Sequence, residues 1–155
     1  MKNLRGYTLI ELMIVLSITG ILFTIGYNSF QDYSRQQTLL SATRLIQVDL
    51  RGAESLALSG SKPAGCTLLN GYQFNIISGT KYEIDASCTN GIIQTKQVTL
   101  AGGLVLSAPV PNPILFKSLA QGTNIASAGT ATITITQTST SKTRTVIVGT
   151  NGDIQ

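Results

Sequence analysis

The chain contains no histidine and no tryptophan, and only 12% of its residues are charged. The absence of histidine excludes His-based acid–base catalysis and removes the most common metal ligand. No proline precedes Pro63, so nothing forces a helix to break before that point. The formal net charge is +4, and Lys2 and Arg5 supply two of its positive charges within the first six residues. The charge that remains is too small for a strong attraction to polyanions, so charge alone does not predict a nucleic-acid partner.

Motifs for catalysis or cofactor binding are also scarce. The runs 59–62 and 139–142 both match S-x-x-K, the nucleophile motif of penicillin-binding enzymes. Neither S-D-N nor K-T-G accompanies them, and chance matches are expected in a chain rich in Ser and Thr. No phosphate-binding loop and no G-x-G-x-x-G occurs. The sequence therefore predicts no enzyme, no cofactor and no metal site.

Two pairs of acids could be imagined as catalytic carboxylates. Asp49 and Glu54 lie in a helical pattern, and Glu83 and Asp85 would point to the same side of a strand. Surface acids in contact with solvent are far more common than functional pairs. We therefore interpret all four as solvated.

The two cysteines, Cys66 and Cys88, are not spaced as C-x-x-C and have no histidine to complete a zinc site. If this part of the chain lies outside the cytoplasm, an intrachain disulfide is the natural interpretation. It would close a loop of about 20 residues and contribute roughly 3 kcal/mol. If it stays inside the cell, two buried free thiols are the alternative.

An almost uninterrupted apolar run extends over residues 7–30 and contains a single acid, Glu11. A helix of about 24 residues is roughly 36 Å long, enough to cross a bilayer core. Lys2 and Arg5 on its short side predict a cytoplasmic N-terminus and an extracytoplasmic body. A secretory signal peptide is the competing interpretation. Its apolar region would be shorter and would end in an A-x-A-like cleavage site, which this sequence lacks.

The helical period continues beyond residue 30, with apolar residues at steps of three and four on one face. These residues are Leu39, Ala42, Ile46, Leu50, Ala53 and Ala57. Arg35, Arg44, Asp49, Arg51 and Glu54 are interleaved and are predicted on the other sides. One long helix is therefore expected, spanning the membrane over 7–30 and amphipathic over 31–60. Gly60 followed by Pro63 predicts its end.

From residue 61 onward the period changes to two, which predicts a β-rich domain over 61–155. Strand-like runs cover 72–76, 81–85, 92–100, 103–106, 114–119, 130–136 and 144–148. The turn 78–80 predicts a hairpin between the first two runs, and the last two are expected to pair. Pro109, Pro111 and Pro113 mark an irregular crossing. One long helix packed on antiparallel strands is an α+β fold.

The segment 5–12, Arg-Gly-Tyr-Thr-Leu-Ile-Glu-Leu, resembles the class III signal of type IV pilins and pseudopilins. The resemblance implies cleavage after Gly6 by a prepilin peptidase and N-methylation of Tyr7. It also implies a pilin-like fold and pairing of Glu11 with the N-terminus of a neighbouring subunit. Gly6 and Tyr7 are thus the expected processing residues, although pilins more often carry Phe where this chain has Tyr7. Glu11 is the expected assembly residue.

The rest of the chain is similar, more loosely, to the GspH/FimT group of minor pseudopilins and minor pilins. The helix residues around Arg51 and Glu54, and the strand 144–148 followed by Asn151-Gly152, carry this similarity. FimT-like DNA-binding subunits have basic residues in the C-terminal tail. The tail 152–155 has an acid and no Arg, so DNA binding does not carry over. A major pilin or a different minor subunit remains an alternative.

The resemblance implies a subunit of a type IV pilus or type II secretion filament, at the cell surface or in the periplasm. Its expected partners are other pilin or pseudopilin subunits, the prepilin peptidase, an inner-membrane assembly platform, and membrane lipid before assembly. The rival hypothesis is a membrane-anchored surface module that binds DNA, sugar or a partner protein. Nothing in the sequence selects among secretion, pilus and DNA-uptake systems.

Overall fold

A computed structural model describes residues 8–155, apart from the side chains at positions 25, 26 and 28. One helix, α1, spans Leu9–Ser59 and is followed by seven strands. These are β1 (Leu69–Ser78), β2 (Lys81–Cys88), β3 (Gly91–Thr99), β4 (Leu104–Ser107), β5 (Ile114–Lys117), β6 (Thr130–Gln137) and β7 (Lys142–Gly149). The α+β fold predicted from the change of period is confirmed.

Both ends of α1 have local causes. Thr8 Oγ1 accepts a hydrogen bond from the backbone N–H of Glu11 at 3.3 Å, which satisfies a donor of the first turn. At the other end Gly60 adopts a positive φ of 63°. The N–H groups of Gly60 and Ser61 then donate to the carbonyls of Ala57 and Leu56, which closes the last turn. The predicted end of the helix near residue 60 is confirmed.

The described part of the chain divides into two units, one that ends at Gln36 and one that covers 37–155. The first unit contains the apolar part of α1. The second, which we call the body, contains the rest of α1 and all of the strands. The boundary expected at residue 30 between a membrane-spanning and an amphipathic half remains a prediction.

The strands of the body form two antiparallel sheets. One sheet has the order β3-β2-β1-β5, and the other has the order β4-β6-β7. The predicted hairpin turns between Ser78 and Lys81, and β6 pairs with β7 as expected. β5 ends at Lys117, two residues earlier than predicted, because Leu119 and Ala120 adopt positive φ values that no strand accommodates. Gly71 allows β1 and β5 to approach closely, since a Cβ there would collide with the carbonyl of Phe116.

The irregular crossing predicted at the prolines is also present, between β4 and β5, and contains cis bonds before Pro111 and Pro113. Asn112 connects this crossing to β1 through two hydrogen bonds with Ile76. Its side-chain amide donates to the carbonyl of Ile76 and its carbonyl accepts the Ile76 N–H, both at 3.1 Å. The side chain therefore replaces a strand partner at that point.

One hydrophobic core joins the helical part of the body to both sheets. The predicted apolar face of α1 lies in it, because all six residues from Leu39 to Ala57 in that pattern are buried. Phe74 and Tyr82 are the largest fully buried side chains of the four-stranded sheet, and their ring centroids lie 4.9 Å apart. The alternation of β6 places Ile133 and Ile135 in the core and leaves threonines outside. The body is thus built around one core that α1 and both sheets share.

Candidate functional site

The part of α1 within residues 9–36 is the most unusual surface of the molecule. It contains an 18-residue window with mean hydropathy 2.2, and none of that window is buried within the chain. By length and composition this helix could cross a membrane. A contiguous apolar surface of this extent marks a membrane or protein interaction site in proteins generally. The residues exposed on it include Leu12, Leu16, Leu22 and Phe23.

The polar groups of this segment are arranged so that the helix surface stays apolar. The hydroxyls of Ser17, Thr19 and Thr24 donate to the backbone carbonyls four residues earlier, at 2.7 to 3.0 Å. Gly20 has open space where a side chain would project. Hydroxyls satisfied within the helix and a glycine without neighbours permit close packing of a second helix in lipid.

Glu11 lies in the first turn of α1 and is exposed. No ion pair joins it to any residue in the part of the chain that the structure describes. The helix N-terminus favours a negative charge at this position. Gly6 and Tyr7, the expected processing residues, lie outside the described residues.

Cys66 and Cys88 form a disulfide, with their Cα atoms 5.6 Å apart. The disulfide interpretation is therefore confirmed, and that of two free thiols is wrong. The bond connects the segment after α1 to the end of β2, beside the core. It restrains the connection between the helix and the four-stranded sheet.

The prediction that Asp49 is a solvated surface acid is wrong. Asp49 is buried and accepts hydrogen bonds from Tyr82 Oη at 2.8 Å and from Lys96 Nζ at 2.6 Å. Burial, together with the hydrogen bond to Asp49 and its charge, raises the pKa of Tyr82 far above its usual range. The spacing contained the signal, since residue 49 is three after Ile46 and four before Ala53, on the apolar face.

Replacing Lys96 by Met tests the importance of this pair. Met keeps most of the apolar stem, so the main loss is the cation beside a carboxylate that is only 7% exposed. Because the Lys96 side chain is 47% exposed, we expect the free energy of unfolding to fall by about 1–2 kcal/mol, less than for a fully buried pair. Chemical denaturation measures the change. Adding Asp49→Asn to Lys96→Met should recover part of the loss, and Lys142→Met on the exposed start of β7 is the control.

Asp85 is also buried, which corrects its interpretation as a solvated acid. It lies with Glu83 on one side of β2, as predicted, and Gln73 donates to its Oδ2 at 3.3 Å. Its Oδ1 is buried without a hydrogen-bond partner. Burial raises the pKa of Asp85, the bond from Gln73 lowers it, and the charge of Glu83 raises it, with a net upward shift.

This raised pKa fixes the sign of a pH effect. A carboxyl group whose pKa is higher in the folded than in the unfolded state stabilises the fold fully below its unfolded pKa, and this contribution is lost as the pH rises through the folded value. We therefore expect Asp85→Asn to unfold at a higher temperature than the unmodified chain at pH 7, with the difference shrinking toward pH 3. Calorimetry at both pH values measures this. Asp32→Asn, at an exposed acid, should leave the pH dependence unchanged, and a destabilised Asp85→Asn at pH 7 would contradict the assignment.

Comparison with known proteins relates these features to a family. A family model described as "Prokaryotic N-terminal methylation motif" matches residues 1–27. Prepilin peptidase-dependent protein D of Escherichia coli is 32% identical over 112 residues, which cover 70% of this chain and 75% of that protein. The chain belongs to the type IV pilin family. A fimbrial protein of Pseudomonas aeruginosa is 36% identical over 76 residues, 49% of each chain.

A third relative, the type IV major pilin protein PilE of Neisseria gonorrhoeae, is 31% identical over 90 residues, which cover 57% of this chain and 53% of that protein. The chain spans about half the length of the fimbrial proteins of P. aeruginosa that it matches. No solved structure gives a significant match. The resemblance to pilins drawn from residues 5–12 is confirmed, while assignment to the GspH/FimT group stays a prediction.

The pilin body holds one feature that sequence patterns did not indicate, a polar cleft between the β5–β6 loop and the C-terminal turn. It is lined by Lys117, Gln121, Thr123, Ser127, Thr150 and Asn151 and has a volume of about 550 Å³. No group of three or more His, Cys, Asp or Glu side chains in residues 8–155 is placed to hold a metal ion.

Proposed function

We propose that the chain is a structural subunit of a type IV filament, held first in the membrane and then in the filament core by residues 9–36. The observation that carries the proposal is the apolar helix surface, none of whose most hydropathic window is buried within the chain. In a single subunit this surface requires lipid, and in a filament it requires other helices. The methylation motif over residues 1–27 supports the same function.

Before assembly the helix would anchor the subunit as a single membrane span. Lys2 and Arg5 favour a cytoplasmic N-terminus, which leaves the body outside. The Cys66–Cys88 disulfide supports this orientation, because disulfides persist in oxidising compartments. The polypeptide would therefore be divided into a leader at 1–6, a membrane-spanning helix at 7–30, an amphipathic helix at 31–60 and a β-domain at 61–155.

Processing would produce the group that assembly requires. Cleavage after Gly6 by a prepilin peptidase would make Tyr7 the N-terminal residue, and methylation would follow on its amine. This amine keeps a positive charge after methylation. The motif match and the similarity to a prepilin peptidase-dependent protein of E. coli both support this step.

Assembly would then pair opposite charges in a low-dielectric core. Glu11 of one subunit would face the Tyr7 amine of its neighbour, and the attraction would be strong where water is excluded. A carboxylate left alone at the centre of a bilayer costs roughly 2.5–3.5 kcal/mol on insertion scales. The pair would thus favour one register between neighbouring helices during transfer from the membrane.

The names of the relatives favour a pilus over a secretion filament, since several are fimbrial proteins or a major pilin. Shearing cells that produce the chain and probing the released filaments tests the function. We expect the chain in the sheared fraction when the prepilin peptidase is present, and only in the membrane fraction when the peptidase is deleted. A chain that never leaves the membrane in cells that assemble filaments would overturn the proposal.

A further inference from the structure

We infer that the polar cleft of the body is a binding site for an uncharged saccharide, independent of filament assembly. It lies wholly within residues 37–155. Its volume of about 550 Å³ is within the range of small-molecule sites, roughly 300–1,000 Å³. A second cavity of about 520 Å³ adjoins it and shares Ser127, Thr150 and Asn151.

Two kinds of polar group line the cleft, and the first kind holds its walls in place. Thr123 donates to the carbonyl of Thr150 through its N–H at 2.9 Å and through its Oγ1 at 3.0 Å. Thr150 Oγ1 lies 3.1 Å and 3.2 Å from the carbonyls of Ala126 and Gly129, to which it donates. These bonds join the β5–β6 loop to the C-terminal turn. The site is therefore largely pre-formed, which reduces the free-energy cost of ordering it around a ligand.

The second kind of group consists of side chains that are available to hydrogen-bond a ligand. The side chains of Lys117, Gln121, Ser127 and Asn151 line the cavity and make no hydrogen bond or ion pair with other residues of the described chain. The two amides and the hydroxyl each offer a donor and an acceptor. A sugar hydroxyl also donates and accepts, so these groups match it better than they match a ligand that only accepts.

The charges around the cleft disfavour an anion. Lys117 is the cation of the main cavity. A small recess beside it adds Glu54 from the end of α1, and the adjoining cavity adds Asp153. These cavities therefore have two carboxylates and one ammonium group among their lining residues, and a phosphate or a nucleic-acid backbone would gain no net attraction from them. The lining favours a neutral, hydroxyl-rich ligand.

The loop that forms one wall is held in an unfavourable conformation. Leu119, Ala120 and Ala128 have φ values of 56°, 61° and 61°, a region that residues other than glycine rarely adopt. Residues held in such conformations cluster at ligand-binding sites. These strained residues lie next to the cavity, which supports a role of this loop in binding rather than only in connecting β5 to β6.

The test uses the full-length chain in detergent micelles and three uncharged disaccharides: maltose, lactose and N,N′-diacetylchitobiose. Saturation-transfer NMR should detect binding of at least one of them, with a Kd of about 10 mM or tighter. Asn151→Ala and Gln121→Ala should each weaken that binding at least about five-fold, since each removes hydrogen bonds to the ligand. Asn70→Ala, at an exposed position of β1 outside the cleft, is the matched control and should bind as the unmodified chain does.

Thermal unfolding of each variant shows whether its fold is intact. Because two cleft variants are measured, a folding defect in one of them still leaves the other to test the inference. Failure of all three disaccharides to bind at about 20 mM would overturn the inference. So would an equal loss in Asn70→Ala, or stronger binding of inorganic phosphate than of any disaccharide. Filament assembly is not measured in this test, so its outcome is separate from that of the proposed function.

Discussion

Replacing Glu11 by Ala should leave the chain anchored in the membrane and processed, but should reduce its incorporation into filaments by about a hundred-fold or more. The proposed partner of Glu11 is the N-terminal amine of a neighbouring subunit. Removing one member of a buried charge pair leaves the other without compensation, which typically costs about 3–5 kcal/mol. In the unassembled subunit Glu11 makes no ion pair with the described residues, so Glu11→Ala leaves no partner charge uncompensated there.

The measurement compares the chain in sheared filaments with the chain in the membrane fraction. Asp32→Ala is the matched control, since it removes another exposed acid from the same helix. Glu11→Asp should restore part of the incorporation, because the carboxylate returns on a shorter side chain. If Glu11→Ala subunits were incorporated as efficiently as Asp32→Ala subunits, the proposed pairing would be wrong.

Replacing Leu50 by Ala should lower the free energy of unfolding by about 2–5 kcal/mol, a large part of the stability of a domain of this size. Leu50 is completely buried in the core between α1 and the sheets. The substitution removes apolar contacts and leaves a cavity that the surrounding strands fill only in part. Chemical denaturation of the full-length chain in micelles, followed by circular dichroism, measures the loss.

Leu45→Ala is the matched control for that prediction. It makes the same chemical change on the same helix, at a side chain that is 41% exposed. We expect a loss of less than about 1 kcal/mol, because less apolar area returns to water. Equal losses for the two variants would mean that the buried face of α1 does not stabilise the body as described.

The regular elements could be predicted because their side-chain periods follow from backbone geometry. Steps of three and four between Leu39 and Ala57 indicated the buried face of α1, and every one of those residues is buried. Alternation over 130–136 predicted a strand, and β6 is present with its isoleucines buried. These patterns are local, so they could be interpreted without knowing the tertiary fold.

The buried acids could not be identified by composition. The charge of Asp49 predicts a solvated side chain, whereas its spacing places it on the apolar face, where it is buried. What stabilises it there is Lys96, which is distant in sequence and comes near only through the pairing of β3 with β2. The environment of Asp85 likewise depends on Gln73 across the β1–β2 pairing.

The polar cleft was beyond prediction for the same reason. Lys117, Gln121 and Asn151 lie in different parts of the chain. Hydrogen bonds made by Thr123 and Thr150 between the β5–β6 loop and the C-terminal turn help to bring them together. No short motif marks such a site. By contrast, the pilin signal is recognisable from one short segment. Gly6 directly precedes the apolar run, and Glu11 lies near the start of that run.

The N-terminus of the chain isolated from membranes and from sheared filaments is the most direct measurement of the central claim. Mass spectrometry of its first peptide should show a chain that begins at Tyr7, with one added methyl group on the amine. The leader Met1–Gly6 should be absent from both fractions in cells that contain a prepilin peptidase. An intact leader in those cells, or a chain cut at another position, would contradict the account of this protein as a processed pilin subunit.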